Sequence, residues 1–111
     1  MRDWATVPEL GQAIRMVDRL ALEAKVAQEG LILTEAQVAA YPTDLSRKYD
    51  LGKKYFHLGR YEDAIGLFQK AQEDLKQRAK VLNYLGLSFG NIGWHDEAIQ
   101  TIRQALEAHQ D

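Results

Sequence analysis

The sequence contains no cysteine among its 111 residues. Disulfide bonds, cysteine nucleophiles and zinc sites with thiolate ligands are therefore excluded together. Stability must come from the packing of apolar side chains, which make up 46% of the sequence. A chain of this length can bury roughly two thirds of its unfolded surface, so a single domain is the expected organisation.

The sequence also has almost no excess of one charge over the other. Fourteen basic and 16 acidic residues leave a net charge of −2, and no run of basic residues occurs. Proteins that bind nucleic acids or anionic membrane surfaces normally carry a basic patch. We therefore expect neither nucleic acid nor membrane as a partner.

Long apolar runs are absent. The first ten residues, MRDWATVPEL, lack the apolar core of a signal peptide, and no uncharged apolar run approaches the roughly 18 residues of a membrane span. The expectation is a soluble, cytoplasmic chain. If the sequence is a fragment of a larger protein, a targeting signal would lie outside it.

Proline occurs only at Pro8 and Pro42, and the apolar residues between and after these positions recur at helical spacing. The sequence therefore predicts an all-α fold. After Pro42, one apolar face is followed by a break at Gly59 and Arg60 and then by a second face. This pattern is typical of a helix, a tight turn and another helix. The two faces comprise Leu51, Tyr55 and Leu58, and then Tyr61, Ala64, Ile65, Phe68 and Ala71.

The same pattern recurs further along the chain, where Gly52 is matched by Gly86 and Gly59 by Gly93 at one constant offset. A repeat that keeps its spacing over a whole helix pair indicates a duplicated structural unit. Gly52 and Gly86 are expected where paired helices cross closely, opposite Ala64 and Ala98. Gly59 and Gly93 are expected to end the first helix of each unit in the left-handed conformation.

These residues resemble the tetratricopeptide repeat, a family whose period, about 34 residues, equals this offset. The resemblance rests on Leu51-Gly52 followed by Tyr55, on the segment GRYEDAI, and on its second copy in LGLSFGNIGWHDEAI. It covers residues 45–111, with repeats at about 45–78 and 79–111, and implies an α-solenoid of antiparallel helix-turn-helix units. The residues that carry it are Leu51, Gly52, Tyr55, Gly59, Tyr61, Ala64, Ile65, Phe68, Ala71, Leu85, Gly86, Phe89, Gly93, Ala98, Ile99 and Ala105.

Residues 1–44 form a separate helical segment with a heptad-like apolar seam. One long helix fits this spacing. Alternatively, Gly30 could end one helix and Thr34-Glu35 could begin another, giving a degenerate helix pair. In either form, the segment is expected to pack on and cap the first repeat within one domain, because two repeats alone bury too little surface. The seam comprises Ala13, Val17, Leu20, Ala24, Ala27, Leu31, Thr34, Val38 and Tyr41.

The sequence offers no convincing catalytic or metal-binding set. The histidines are His57, His95 and His109, and none has a second histidine at helical metal-site spacing. Asp96 and Glu97 beside His95 align with Glu62 and Asp63, and acidic residues at a helix start are explained by the helix dipole. We therefore predict no metal, no cofactor and no enzymatic activity.

The inner face of the first helix in each unit is the best candidate for binding, because stacked helix pairs place these helices along a concave wall. Its aromatic, amide and charged side chains suit a peptide or helix of a partner protein. The predicted groove comprises Tyr49, Asp50, Lys53, His57, Lys80, Asn83, Tyr84, Leu87 and Asn91.

Two alternatives remain open at this stage. The charged members of the predicted groove could form only a solvated face. The chain could also be a homo-oligomerisation unit, in which the seam from Ala13 to Tyr41 pairs with its copy in another chain. The leading hypothesis is a non-catalytic protein–protein interaction scaffold.

Overall fold

The computed structural model describes residues 8–110 and contains five α-helices. They are α1 (Pro8–Ala40), α2 (Leu45–His57), α3 (Tyr61–Ala71), α4 (Arg78–Asn91) and α5 (His95–Gln110). No strand occurs in this described range, which confirms the predicted all-α fold. Residues 1–7 and Asp111 lie outside it, so the ends of the predicted segments 1–44 and 45–111 are not part of this description.

The chain divides into two units, residues 1–33 and residues 34–111. The described part of the first unit is a single stretch of α1. The second unit holds the last turns of α1 together with α2, α3, α4 and α5. Helix α1 continues through Gly30 without a break, so the single long helix is present rather than the helix pair. The predicted boundary at residue 44 stays a prediction.

In each repeat, a glycine ends the first helix and precedes the start of the second. Gly59 has φ of +78° and Gly93 has φ of +87°. In the first turn, the Arg60 N–H donates to the Tyr55 carbonyl at 2.9 Å. In the second turn, the Trp94 N–H donates to the Phe89 carbonyl at 2.9 Å. These bonds satisfy carbonyls left free at the helix ends, and they confirm the predicted left-handed glycine stops.

The other repeated glycines lie where the two helices of a unit touch. A Cβ atom added to Gly52 would lie 2.6 Å from Cε1 of Phe68, and one added to Gly86 would lie 2.5 Å from Cδ1 of Ile102. The predicted close crossing is confirmed. The side chains that face these glycines are Phe68 and Ile102. Of the two small residues that the sequence suggested, Ala98 does approach Gly86, with its carbonyl oxygen 3.3 Å from the added Cβ, whereas Ala64 is not among the three atoms nearest a Cβ at Gly52. A large side chain fills the space because the glycine has no Cβ.

The core of the second unit lies between the paired helices and their neighbours. Phe68 is fully buried, with its ring centroid 6.1 Å from that of Tyr49 and 5.7 Å from that of Tyr84. Within the described residues, every buried side-chain polar atom has a hydrogen-bond partner. This core holds α2, α3 and α4 in fixed positions and so positions the polar residues around them. Its buried members are Tyr49, Ala64, Phe68, Ala71, Val81, Leu82, Leu85, Phe89 and Ala105.

Candidate protein-binding surface

A cavity of about 520 Å³ lies in the second unit, between the end of α1, helix α2 and helix α4. Helix α2 supplies most of its charged side chains, and α4 supplies one aromatic ring. We call it the basic cavity. Its lining residues are Thr34, Gln37, Asp50, Lys53, Lys54, His57 and Tyr84.

The ammonium group of Lys53 is held in place by two neighbours. Nζ lies 4.4 Å from the centroid of the Tyr49 ring and 3.6 Å from a carboxylate oxygen of Asp50. A cation over an aromatic face is stabilised by about 0.5–1 kcal/mol at an exposed site. These contacts keep a positive charge at the cavity wall.

The cavity carries more positive than negative charge. Two lysines, Lys53 and Lys54, line it with a single carboxylate, Asp50, and with the imidazole of His57. Within residues 8–110, Lys54 forms no ion pair. The cavity is therefore basic in a chain whose net charge is −2.

The aromatic floor of the basic cavity is built around Tyr84. Its ring centroid lies 5.3 Å from that of Phe56, 6.1 Å from that of His57 and 6.0 Å from that of Tyr49. Tyr49 is only 7% exposed. Burial, with a smaller contribution from Tyr84, raises the pKa of the Tyr49 hydroxyl. Tyr49 is therefore neutral at physiological pH and supports the floor from below.

The nine predicted groove residues are divided among several surfaces. Asp50, Lys53, His57 and Tyr84 meet in the basic cavity, and Tyr49 lies buried beneath Lys53. The other four lie on α4 toward α5 and line two further cavities. Lys80 and Asn83 line one of these, and Leu87 and Asn91 line the other.

Three lining residues were missed by the sequence prediction, namely Thr34, Gln37 and Lys54. Thr34 and Gln37 precede Phe68 and Ala71 by one repeat period, so the repeat spacing extended back into α1 could have found them. Lys54 follows Asp50 by one helical turn and so shares its helical face.

The described residues show neither a metal site nor a membrane span. Across residues 8–110, no group of three or more histidine, aspartate or glutamate side chains is placed to hold a metal ion. No helix in this range combines the length and apolar character needed to cross a bilayer.

Comparison with known proteins gives a family match for the second helix pair. Residues 79–111 match the model of the tetratricopeptide repeat, which confirms the resemblance for the second predicted repeat. No significant match was found among curated proteins. The family match supports a protein-interaction scaffold, a class of function that such repeats typically serve without catalysis.

Solved structures with a similar fold include three of MamA. Two crystal structures of MamA are each 24% identical, with TM-scores of 0.69 and 0.68 over 91% of this chain. An arginine-to-glutamate mutant of MamA is 22% identical, with a TM-score of 0.69 over 95% of this chain and 77% of its own. The first two are covered over 55% and 51% of their length, so this chain spans about half of them. These likenesses establish the helical-repeat fold.

Proposed function

We propose that the chain is a non-catalytic scaffold that binds a peptide or helix of a partner protein in the basic cavity. The observation that supports this most strongly is that Lys53, Lys54 and His57 line one cavity together with the aromatic ring of Tyr84. Cations beside an apolar floor can bind both the charge and the side-chain carbons of an extended segment. Because α2 and α4 are fixed by the core, little ordering is required before a partner binds.

The charge of the basic cavity indicates the chemistry of the partner. Lys54 is free of ion pairs within the described residues, and Lys53 is only partly neutralised by Asp50 at 3.6 Å. A glutamate, aspartate or C-terminal carboxylate would therefore find a charge-assisted hydrogen bond here. An apolar side chain next to this carboxylate would cover the exposed part of Tyr84.

Selection from a random peptide library displayed on phage tests this proposal with the immobilised full chain. The expected result is enrichment of peptides that carry a carboxylate beside an apolar or aromatic residue. The enrichment should weaken as salt is raised, because salt screens exposed charges. Enrichment of basic peptides, or of none, would argue against the proposed cavity.

A second candidate function is self-association through α1. The N-terminal part of the seam, comprising Ala13, Val17, Leu20, Ala24 and Ala27, is exposed within its unit, with Val17 at 63% and Leu20 at 60%. Contiguous exposed apolar surface of this kind is typical of an interaction site. Light scattering over a range of concentrations tests this candidate, because an intact chain that stays monomeric throughout has no such role.

A further inference from the structure

Helices α4 and α5 carry an open apolar cavity of about 460 Å³ between them. We call it the α4–α5 face, defined by Leu87, Gly90, Asn91, Ile99 and Ile102. Two of its side chains are well exposed, Leu87 at 44% and Ile99 at 52%. An exposed apolar concavity of this size is large enough for a bulky side chain of another helix.

The first repeat shows what occupies the corresponding surface. There, the ring of Tyr84 from α4 contacts Phe56, His57 and Phe68 of the preceding helix pair. Their counterparts one repeat period later are Gly90, Asn91 and Ile102, and all three line the cavity on the α4–α5 face. This cavity is therefore the counterpart, one repeat period later, of the site that Tyr84 fills.

The occupant of the first site has a recognisable pattern. Val81 and Ser88 flank Tyr84 on the same helical face, and both are fully buried. The pattern is a β-branched residue, a large residue three positions later and a small residue four positions after that. It recurs in α1 as Val17, Leu20 and Ala24, where all three side chains are exposed within their unit.

We propose that α1 of a second copy docks on the α4–α5 face with Leu20 in the cavity. The proposal rests on the self-association candidate and identifies the surface that receives α1. Charge is complementary as well. Glu23 lies one turn after Leu20, and Arg103 at the cavity edge forms no ion pair within residues 8–110.

Pairing of α1 with another α1 is the weaker arrangement. The exposed seam is short, and three of its five members are the small residues Ala13, Ala24 and Ala27. A two-stranded coiled coil needs large apolar residues sustained over about three heptads or more. Small residues instead allow close approach to a wider surface such as a helix pair.

Docking of α1 on the α4–α5 face is a heterologous contact, since the two copies contribute different surfaces. Such contacts extend head to tail into open chains or closed rings. This property provides a test that does not depend on knowing the size of the assembly.

Sedimentation velocity of the full chain and two variants tests the proposal. Leu20→Arg blocks α1 but leaves the α4–α5 face intact, whereas Ile99→Arg blocks the face but leaves α1 intact. The wild type is expected to gain mass with concentration, and each variant alone is expected to remain a monomer. An equimolar mixture of the two should double in mass and grow no further. Leu75→Arg is the matched control, because Leu75 is 80% exposed and belongs neither to α1 nor to the lining of the α4–α5 face.

Several results would overturn the proposal. If Ile99→Arg still self-associates while Leu20→Arg does not, α1 pairs with α1, and the self-association candidate survives without this interface. A wild type that is monomeric at every concentration would contradict both the self-association candidate and the docking of α1 on the α4–α5 face. Circular dichroism checks that each variant is folded, and the milder pair Leu20→Gln and Ile99→Gln replaces any variant that is not.

Discussion

The ring of Phe68 occupies the space where a side chain on Gly52 would begin. The Cβ of any other residue at Gly52 would lie 2.6 Å from Cε1 of Phe68 and 2.9 Å from its Cδ1. The same relationship recurs between Gly86 and Ile102 in the next helix pair. The glycine and the large side chain together set how closely the two helices of a repeat can approach.

Gly52→Ala should therefore destabilise the protein although alanine favours helix. The Phe68 ring is fully buried, so it cannot move aside freely, and overpacking of this kind costs about 1–3 kcal/mol. Urea denaturation measures the change in the free energy of unfolding. Gly66→Ala is the matched control, because a Cβ there has nothing within 4 Å. This variant should gain about 0.5–1 kcal/mol in the free energy of unfolding. A Gly52→Ala variant as stable as the wild type would contradict the close crossing.

Gly59 is required for its backbone conformation rather than for space. Its φ is +78°, and an added Cβ would meet nothing within 4 Å. Gly59→Ala should therefore lower the free energy of unfolding by about 1–2 kcal/mol through left-handed strain alone. Gly59→Asn should lose less, because asparagine tolerates this region. Thermal melts of both variants check the order, and equal melting temperatures would count against it.

Asp44 makes stability depend on pH at the start of α2. Its carboxylate accepts the Arg47 N–H at 3.2 Å and the Arg47 Nε–H at 2.9 Å. The backbone hydrogen bond from Arg47 is the main cause that lowers the pKa of Asp44. Because the pKa of Asp44 is lower in the folded state, its ionised carboxylate stabilises the fold at pH values above the unfolded-state pKa of about 3.9. This stabilisation is lost as the pH falls through the folded-state pKa.

Asp44→Asn keeps an N-cap oxygen but removes the charge. The wild type should therefore melt at a higher temperature than this variant near pH 6, and the difference should shrink as the pH falls below about 4. Melting curves at a series of pH values measure it. A difference that stays constant across this range would show that the ionised carboxylate contributes nothing.

The repeat itself could be predicted from the sequence because its signals are local. The glycines at 52, 59, 86 and 93 mark close crossings and helix ends wherever they occur in an apolar helical pattern. The length of α1 was harder to predict, since an interior glycine such as Gly30 costs a helix only about 1 kcal/mol. One repeat period before Gly59, the sequence has Lys25. Without a glycine there to reverse the chain, the helix continues.

The candidate site was predicted only in part because a groove depends on what lies on both of its sides. Asp50, Lys53 and His57 lie on α2, which faces α4 and the end of α1, so they meet in one cavity. Leu87 and Asn91 hold the positions of Lys53 and His57 on α4 but line a cavity shared with α5. Spacing within one helix cannot show which neighbour closes a cavity.

Affinity capture with two matched triple variants tests the proposed scaffold function most directly. One variant removes the lysine and histidine side chains of the basic cavity through Lys53→Ala, Lys54→Ala and His57→Ala. The other removes the same residue types elsewhere through Lys70→Ala, Lys76→Ala and His109→Ala. The wild type and the second variant should retain the same partner from a cell extract, and the first should lose it while remaining helical. Equal retention by all three proteins would contradict binding in the basic cavity.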